Sequence, residues 1–283
     1  MKMNKRIEEI KQVELIIPGL KNSYRFIQIS DSHLVLCDDR DSKRHQEIAN
    51  WRVDTFKHRE ITSTERFDAI IEMIHKDPEK YDGVLFTGDI IDFPTKANIE
   101  YMKNAISGLP IPYVYTLGNH DWSYLDIDEY HSEYSKNELR PQFAEFTCGN
   151  TAVHKKKIGE ICFIAVDNGE DIYEADTLRQ FSELISGEEN VIVLQHAPLY
   201  SEELHQPTEA KWHKDLCLGE KALNKDGSAE AFRKMITADG SPVKAVICGH
   251  LHFGHLDMLD GKVPQYVSSL SAFGFHTEYF IHG

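Results

Sequence analysis

Five short polar motifs in this chain combine residue types that bind divalent metals. They are Asp31-Ser32-His33, Gly88-Asp89-Ile90-Ile91-Asp92, Gly118-Asn119-His120-Asp121, His196 after Gln195, and Gly249-His250-Leu251-His252. Carboxylates and neutral imidazoles suit manganese, iron, zinc or related ions, whereas a thiolate set would suggest structural zinc. Two such ions about 3.5–4 Å apart can clamp a phosphate, lower the pKa of a bridging water and stabilise an in-line displacement. That chemistry needs a carboxylate shared by both ions, and Asp89 is the natural candidate. Gly88, Gly118 and Gly249 permit sharp turns and close approach of backbone to metal or phosphate. A D-x-H triplet or a lone histidine arises often by chance. All five motifs together, in this order, carry the inference.

Each motif follows a run with strand composition and length: Tyr24–Ser30, Gly83–Thr87, Tyr113–Leu117, Val191–Leu194 and Val243–Cys248. Ile161–Val166 reads as a further strand. Helical periodicity lies between them. Phe67, Ile70, Ile71 and Ile74 fall on one helix face, as do Leu178, Phe181, Leu184 and Ile185 before Gly187. Ser228 is placed to cap a helix that buries Phe232, Met235 and Ile236 and stops near Gly240. Alternation of strands and helices predicts an α/β fold with substantial parallel pairing, whose ligand sites collect at the carboxyl ends of strands.

Two segments break the alternation. Val35–Glu60 is highly charged and compatible with a helix carrying Ile48, Trp51 and Thr55 on one face; Tyr200–Gly227 is rich in Glu, Lys and His. Both directly follow candidate site residues, so each is either a lid or substrate wall or a solvated surface insertion. Asp38, Asp39 and Asp41 read as a solvated acidic run. His255, His276 and His282 read as surface or supporting residues, while Trp212 and Tyr200 could stack on a base or sugar, and Trp212 could equally anchor its own loop.

The 283 residues, 41% hydrophobic and 27% charged, describe an ordinary globular protein. The net charge of −15 repels nucleic-acid backbones and argues against a nucleic-acid partner. No apolar run approaches the ~18–20 residues that span a bilayer, so no membrane span is expected. The basic amino terminus is interrupted by acidic residues before a signal-peptide core can form, which leads us to expect a cytoplasmic protein. Five scattered cysteines without a CxxC pair exclude a thiolate zinc site or disulfide framework; Cys162 and Cys248, in apolar runs, read as buried thiols.

The set D-x-H, G-D-x-x-D, G-N-H-D, H and G-H-x-H resembles the calcineurin-like metallophosphoesterase superfamily from Asp31 to His252. The resemblance implies a β-sandwich of two mixed sheets flanked by α-helices, with late strands near Gln265–Ser269 and Glu278–Ile281. It implies one metallophosphoesterase domain over 1–283, with insertions near 35–60 and 200–227. One metal would take Asp31, His33, Asp89 and His252; the other would take Asp89, Asn119, His196 and His250. His120 would protonate the leaving-group oxygen, oriented by Asp121, and Asp92 would hold a ligand or backbone group in place.

The implied activity is hydrolysis of a small-molecule phosphodiester, or a phosphomonoester, by metal-bound hydroxide with two divalent ions as cofactors. Phe93-Pro94 stands where serine/threonine protein phosphatases carry Arg-Gly. His33 is present, and the tyrosine ligand of purple acid phosphatases is not. The pattern is instead similar to the bacterial phosphodiesterase branch, including class III cyclic-nucleotide phosphodiesterases. Two alternatives remain open on the same fold: a non-catalytic metal-binding interaction scaffold, and a nuclease. The sequence leaves the physiological substrate, the metal identity and the oligomeric state unassigned.

Overall fold

The strand-like runs assemble into two sheets. The computed structural model describes residues 6–124, 134–219 and 226–283. In chain order its main elements are β1 (Glu9–Ile16), β2 (Tyr24–Ile29), α1 (Lys43–Thr55), α2 (Ser63–Lys76), β3 (Gly83–Thr87), α3 (Lys96–Ser107), β4 (Tyr113–Thr116) and α4 (Asn119–Trp122). They continue with β5 (Val153–Ile158), β6 (Ile161–Val166), α5 (Ala175–Ile185), β7 (Val191–Leu194), α6 (Glu202–Trp212), α7 (Ser228–Thr237), β8 (Val243–Cys248), β9 (His255–Leu259), β10 (Val263–Val267) and β11 (Phe275–His282).

The first sheet has the order β1-β11-β2-β3-β4 and the second β5-β6-β7-β8-β10-β9. Both are mixed. β2, β3 and β4 run parallel, as do β6, β7 and β8, while β11 against β2, β5 against β6 and β9 against β10 are antiparallel. Parallel interior strands are covered on both faces, so they read as continuous apolar runs. GVLFT, ICFIAV and VIVL are buried at every position.

Three cores result. Phe26, Leu85 and Val114 of the first sheet meet Phe163, Ile192 and Ile247 of the second in the sandwich interior. Phe26 and Phe163 pack edge to face at 4.8 Å. Truncating such a fully buried ring to alanine costs about 3–5 kcal/mol. Successive strand residues face opposite ways. Ile27 and Ile29 therefore turn outward to Phe67, Ile70 and Ile74 of α2. On the other side Phe181 of α5 and Phe232 of α7 cover the second sheet. A Thr62 capping box starts α2: its hydroxyl accepts from Glu65 N while Glu65 bonds back to Thr62 N.

Some expectations need correction. α1 exists, but Trp51 is 50% exposed and Thr55 is exposed as well; the inward face carries Ile48, Ala49, Arg52 and Val53. The cap of α7 is Gly227, and Ser228 is its first residue, with a hydroxyl that donates to Asp226. β1, β5 and β9 were not anticipated. Cys162 and Cys248 are buried thiols as expected. Among the described residues, no helix is long and apolar enough to cross a membrane.

Candidate metal centre

The carboxyl ends of β2, β3, β4, β7 and β8 deliver all five motifs to one place. His252 Nε2 lies 3.3 Å from Asp31 Oδ1 and 3.1 Å from His33 Nε2, which makes one group of candidate ligands. A second is formed by Asp89, His196 and His250: His196 Nε2 is 3.1 Å from Asp89 Oδ2 and 3.1 Å from His250 Nδ1. The same Asp89 oxygen is 3.8 Å from His33 Nε2, so Asp89 stands between the groups. Asn119, buried, opens α4, where its carbonyl accepts from Ser123 Oγ. The short contacts of the second group run among Asp89, His196 and His250 and do not include it.

The backbone is bent to achieve this. Asp31, His33, Asp89, His250 and His252 all have left-handed backbone angles, with φ between 41° and 72°. For residues with a Cβ this costs roughly 1–2 kcal/mol apiece and persists only where surroundings over-determine it. Here they do. Asp31 N donates to Gly88 O and His33 N to Asp89 O at 3.0 and 2.9 Å, tying the first motif to the second. His250 N donates to both Asp31 oxygens at 3.0 and 3.1 Å. A side chain at Gly118 would collide with Asp89, and one at Gly249 with Ser30 and Asp31, so these two positions require glycine.

Hydrogen bonds outside the groups set the tautomers. His196 Nδ1 donates to Thr87 O at 2.8 Å, and His33 Nδ1 to Asp92 Oδ1 at 3.1 Å. Each Nε2 therefore presents a lone pair inward, toward a carboxylate or another imidazole. Lone pairs that converge in this way require a cation among them, which is the condition a divalent ion fulfils. The donor set fits two such ions, with nitrogen and oxygen ligands and no thiolate.

The titration behaviour agrees. Burial pushes His33 down to about 4. Burial, reinforced by the neighbouring His196, pushes His250 down to about 3. Burial also opposes a charge on His196, yet Asp89 and Asp31 outweigh it and hold His196 up at about 10. His120 is likewise opposed by burial, but Asp89 and Asp92 raise it to about 8.

His120 keeps 16% of its side chain accessible, as does His252, against 0% for Asp92. Its Nδ1 donates to Asp92 O at 2.9 Å and stands 3.3 Å from Asp92 Oδ1. The resemblance implied Asp121 in that role. Asp121 instead accepts backbone N–H groups from Gly118, Asp89, Ile90 and Ile91 at 2.8–3.2 Å, which locks the second motif to the third. Burial and the adjacent Asp89 charge push its carboxyl up to about 7.

Sequence reasoning did not find Arg52, whose Nε and Nη2 donate to the two oxygens of Asp92 at 2.6 and 2.5 Å. It also missed Asn168, whose Oδ1 accepts from His196 N and Ala197 N at 3.2 and 3.1 Å. His276 is buried rather than superficial, and contacts Ser271 Oγ, which receives Ser30 N beside Asp31. His282 pairs with Glu14 away from the site. Tyr200 is buried with its hydroxyl on Glu202, so it is not placed to stack on a substrate.

A family model described as calcineurin-like phosphoesterase matches residues 24–254. Among solved structures, the chain is similar to a dimetal phosphatase from Danio rerio at 13% identity and TM-score 0.51, covering 88% of each chain. It is also similar to a purple acid phosphatase from yellow lupin (Lupinus luteus) seeds at 11% identity and TM-score 0.55. That match covers 91% of this chain and 45% of the lupin chain. At these identities the likeness is one of fold. A search of curated proteins returned no match.

Proposed function

The chain belongs to the calcineurin-like phosphoesterase family, and from that premise we propose that it is a two-metal hydrolase of a small phosphodiester. The observation that supports this most is Asp89 Oδ2, 3.1 Å from His196 and 3.8 Å from His33, shared between two converging ligand groups. Asp31, His33, Asp89 and His252 would hold one ion, and Asp89, Asn119, His196 and His250 the other. When bound, the ions supply positive charge to the phosphoryl oxygens and acidify water.

The chain's own residues do the rest. His120, in its protonated form at neutral pH, gives its proton to the leaving oxygen. Asp92 holds Nδ1 of that ring, so Nε2 is the nitrogen that faces the ester. Asp121 keeps the loops carrying Asp89 and His120 in register through its four backbone bonds.

We assign the described parts of the segments 35–60 and 200–227 to the walls of the substrate pocket, where α1 and α6 both border the Asp31–His33–His252 group. The last turn of α6 rests on the fifth motif. Trp212 Nε1 donates to Leu251 O at 3.0 Å and its ring meets His252 edge to face at 5.3 Å. Lys211 Nζ donates to His252 O at 2.6 Å. Residues 220–225 of that segment lie outside the described residues.

Parallel assays of bis(p-nitrophenyl) phosphate and p-nitrophenyl phosphate with the Mn²⁺-loaded chain test the diester reading. We expect the larger kcat/KM for the diester. A monoester preference would overturn that part of the proposal and leave the phosphoesterase assignment standing.

A further inference from the structure

We propose that Arg52 of α1 is a positioning residue for the phosphoesterase reaction, fixing Asp92 so that it aims His33 and His120 together. The proposal rests on the functional reading above and extends it to a helix outside the five motifs.

The geometry is specific. Asp92 Oδ1 faces three donors: Arg52 Nη2 at 2.5 Å, His33 Nδ1 at 3.1 Å and His120 Nδ1 at 3.3 Å. A carboxylate held at one oxygen can still turn about its last bond. Arg52 Nε on Oδ2, at 2.6 Å, supplies the second anchor, and a forked contact of this kind fixes the carboxylate plane. Asp92 is fully buried and Arg52 is 13% exposed, so water competes little.

The same helix end grips His33 from another direction. The Phe56 ring stacks on His33 at 4.2 Å and 5° from parallel, and the Arg52 guanidinium lies 4.9 Å from the centre of that same Phe56 ring. Phe56 thus touches both the imidazole and the guanidinium, and the guanidinium also holds Asp92. His33 in turn meets His120 edge to face at 4.7 Å. Two histidines with different duties, one a candidate ligand and one a candidate acid, therefore share a single carboxylate whose orientation is set from α1.

Among the described residues, the motif-loop imidazoles reach Asp92 Oδ1, and the anchor on Oδ2 comes from Arg52. Asp92 N bonds Leu34 O, which fixes its backbone but leaves the carboxylate free to rotate. The helix itself is seated firmly: Ser42 caps its start, and Ala49 and Phe56 pack with Val35, Phe93 and Leu270. Arg52 sits in its last turn, where a cation suits the helix dipole.

The test compares wild type with Arg52→Ala, Arg52→Lys and, as control, Asn50→Ala at an exposed position of the same helix. Steady-state kinetics on bis(p-nitrophenyl) phosphate, calorimetric Mn²⁺ affinity of the metal-stripped chain and thermal unfolding are read for each. Loss of a residue that orients ligands lowers activity or metal affinity by about 10–100-fold. We expect Arg52→Ala to lower kcat on that scale with KM little changed, and to weaken Mn²⁺ binding. Added guanidinium, but not methylammonium, should recover kcat.

Arg52→Lys keeps the charge without the fork and should remain impaired; should the alanine variant fail to fold, this variant carries the test. Wild-type kcat and Mn²⁺ affinity in a folded Arg52 variant would overturn the proposal, as would a loss confined to thermal stability. A wild-type chain that binds Mn²⁺ but cleaves no phosphoester would sink the functional reading instead. The calorimetric comparison would still decide whether Arg52 supports the site.

Discussion

The two halves of the metal centre are held by different parts of the molecule. Asp89, His196 and His250 are braced by the sheets: His196 bonds the β3 carbonyl of Thr87, and Asn168 at the end of β6 holds the turn after β7. In the other group, His33 and His252 are braced by excursions. His33 is flanked by Phe56 and Asp92–Arg52, and His252 by Trp212 and Lys211. One half is dictated by strand geometry. The other is borrowed from segments that can vary in sequence while the sheets stay the same, which is where loops on a rigid scaffold commonly place specificity.

Asp89 joins the halves, so changing it should have the largest effect. Asp89→Asn is expected to empty both sites in elemental analysis and to lower turnover on the order of 10³-fold or more. His120→Asn should leave both ions in place and still lower turnover by about 10²-fold or more. Retained turnover in that variant would remove His120 from the role of acid.

Breaking one half at a time sharpens the comparison. Asn168→Ala should weaken the sheet-held half and Phe56→Ala the excursion-held half, each by about tenfold in the affinity of one Mn²⁺. Titrations in which either variant weakens both ions equally would show that the halves are not independent.

What could be read in the sequence divides along similar lines. Interior strands such as β3, β6 and β7 were legible because every residue in them is buried. The missed strands β1, β5 and β9 are all sheet edges. β5 is VHKKKI, and lysines that protect an edge from pairing with another chain also erase its apolar signature. The candidate ligands were legible because their motifs are local. Arg52 and Asn168 were not, since their partners are 40 and 28 positions away. A single arginine on a charged helix carries no local mark of the carboxylate it will meet. Asp121 is adjacent to His120 in sequence, yet α4 turns its carboxylate toward backbone N–H groups of the second and third motifs.

The smallest expected effect is on pH dependence. His196 is raised from 6.5 to about 10 in the metal-free fold. Its protonation therefore stabilises that fold fully below 6.5, and the contribution is lost as pH rises through about 10. Metal must displace this proton, so Mn²⁺ affinity should increase with pH across this interval, with proton release visible in buffers of different ionisation enthalpy. A pH-independent affinity would contradict the assigned His196 environment.

The central claim is a phosphoesterase built on paired ions, and one titration addresses it most directly. Metal-stripped chain is titrated with Mn²⁺ while hydrolysis of bis(p-nitrophenyl) phosphate is followed. The account predicts no turnover without metal and a rate that levels off at about two equivalents per chain. Full turnover in the stripped chain, or saturation with Mn²⁺ and no turnover, would contradict it.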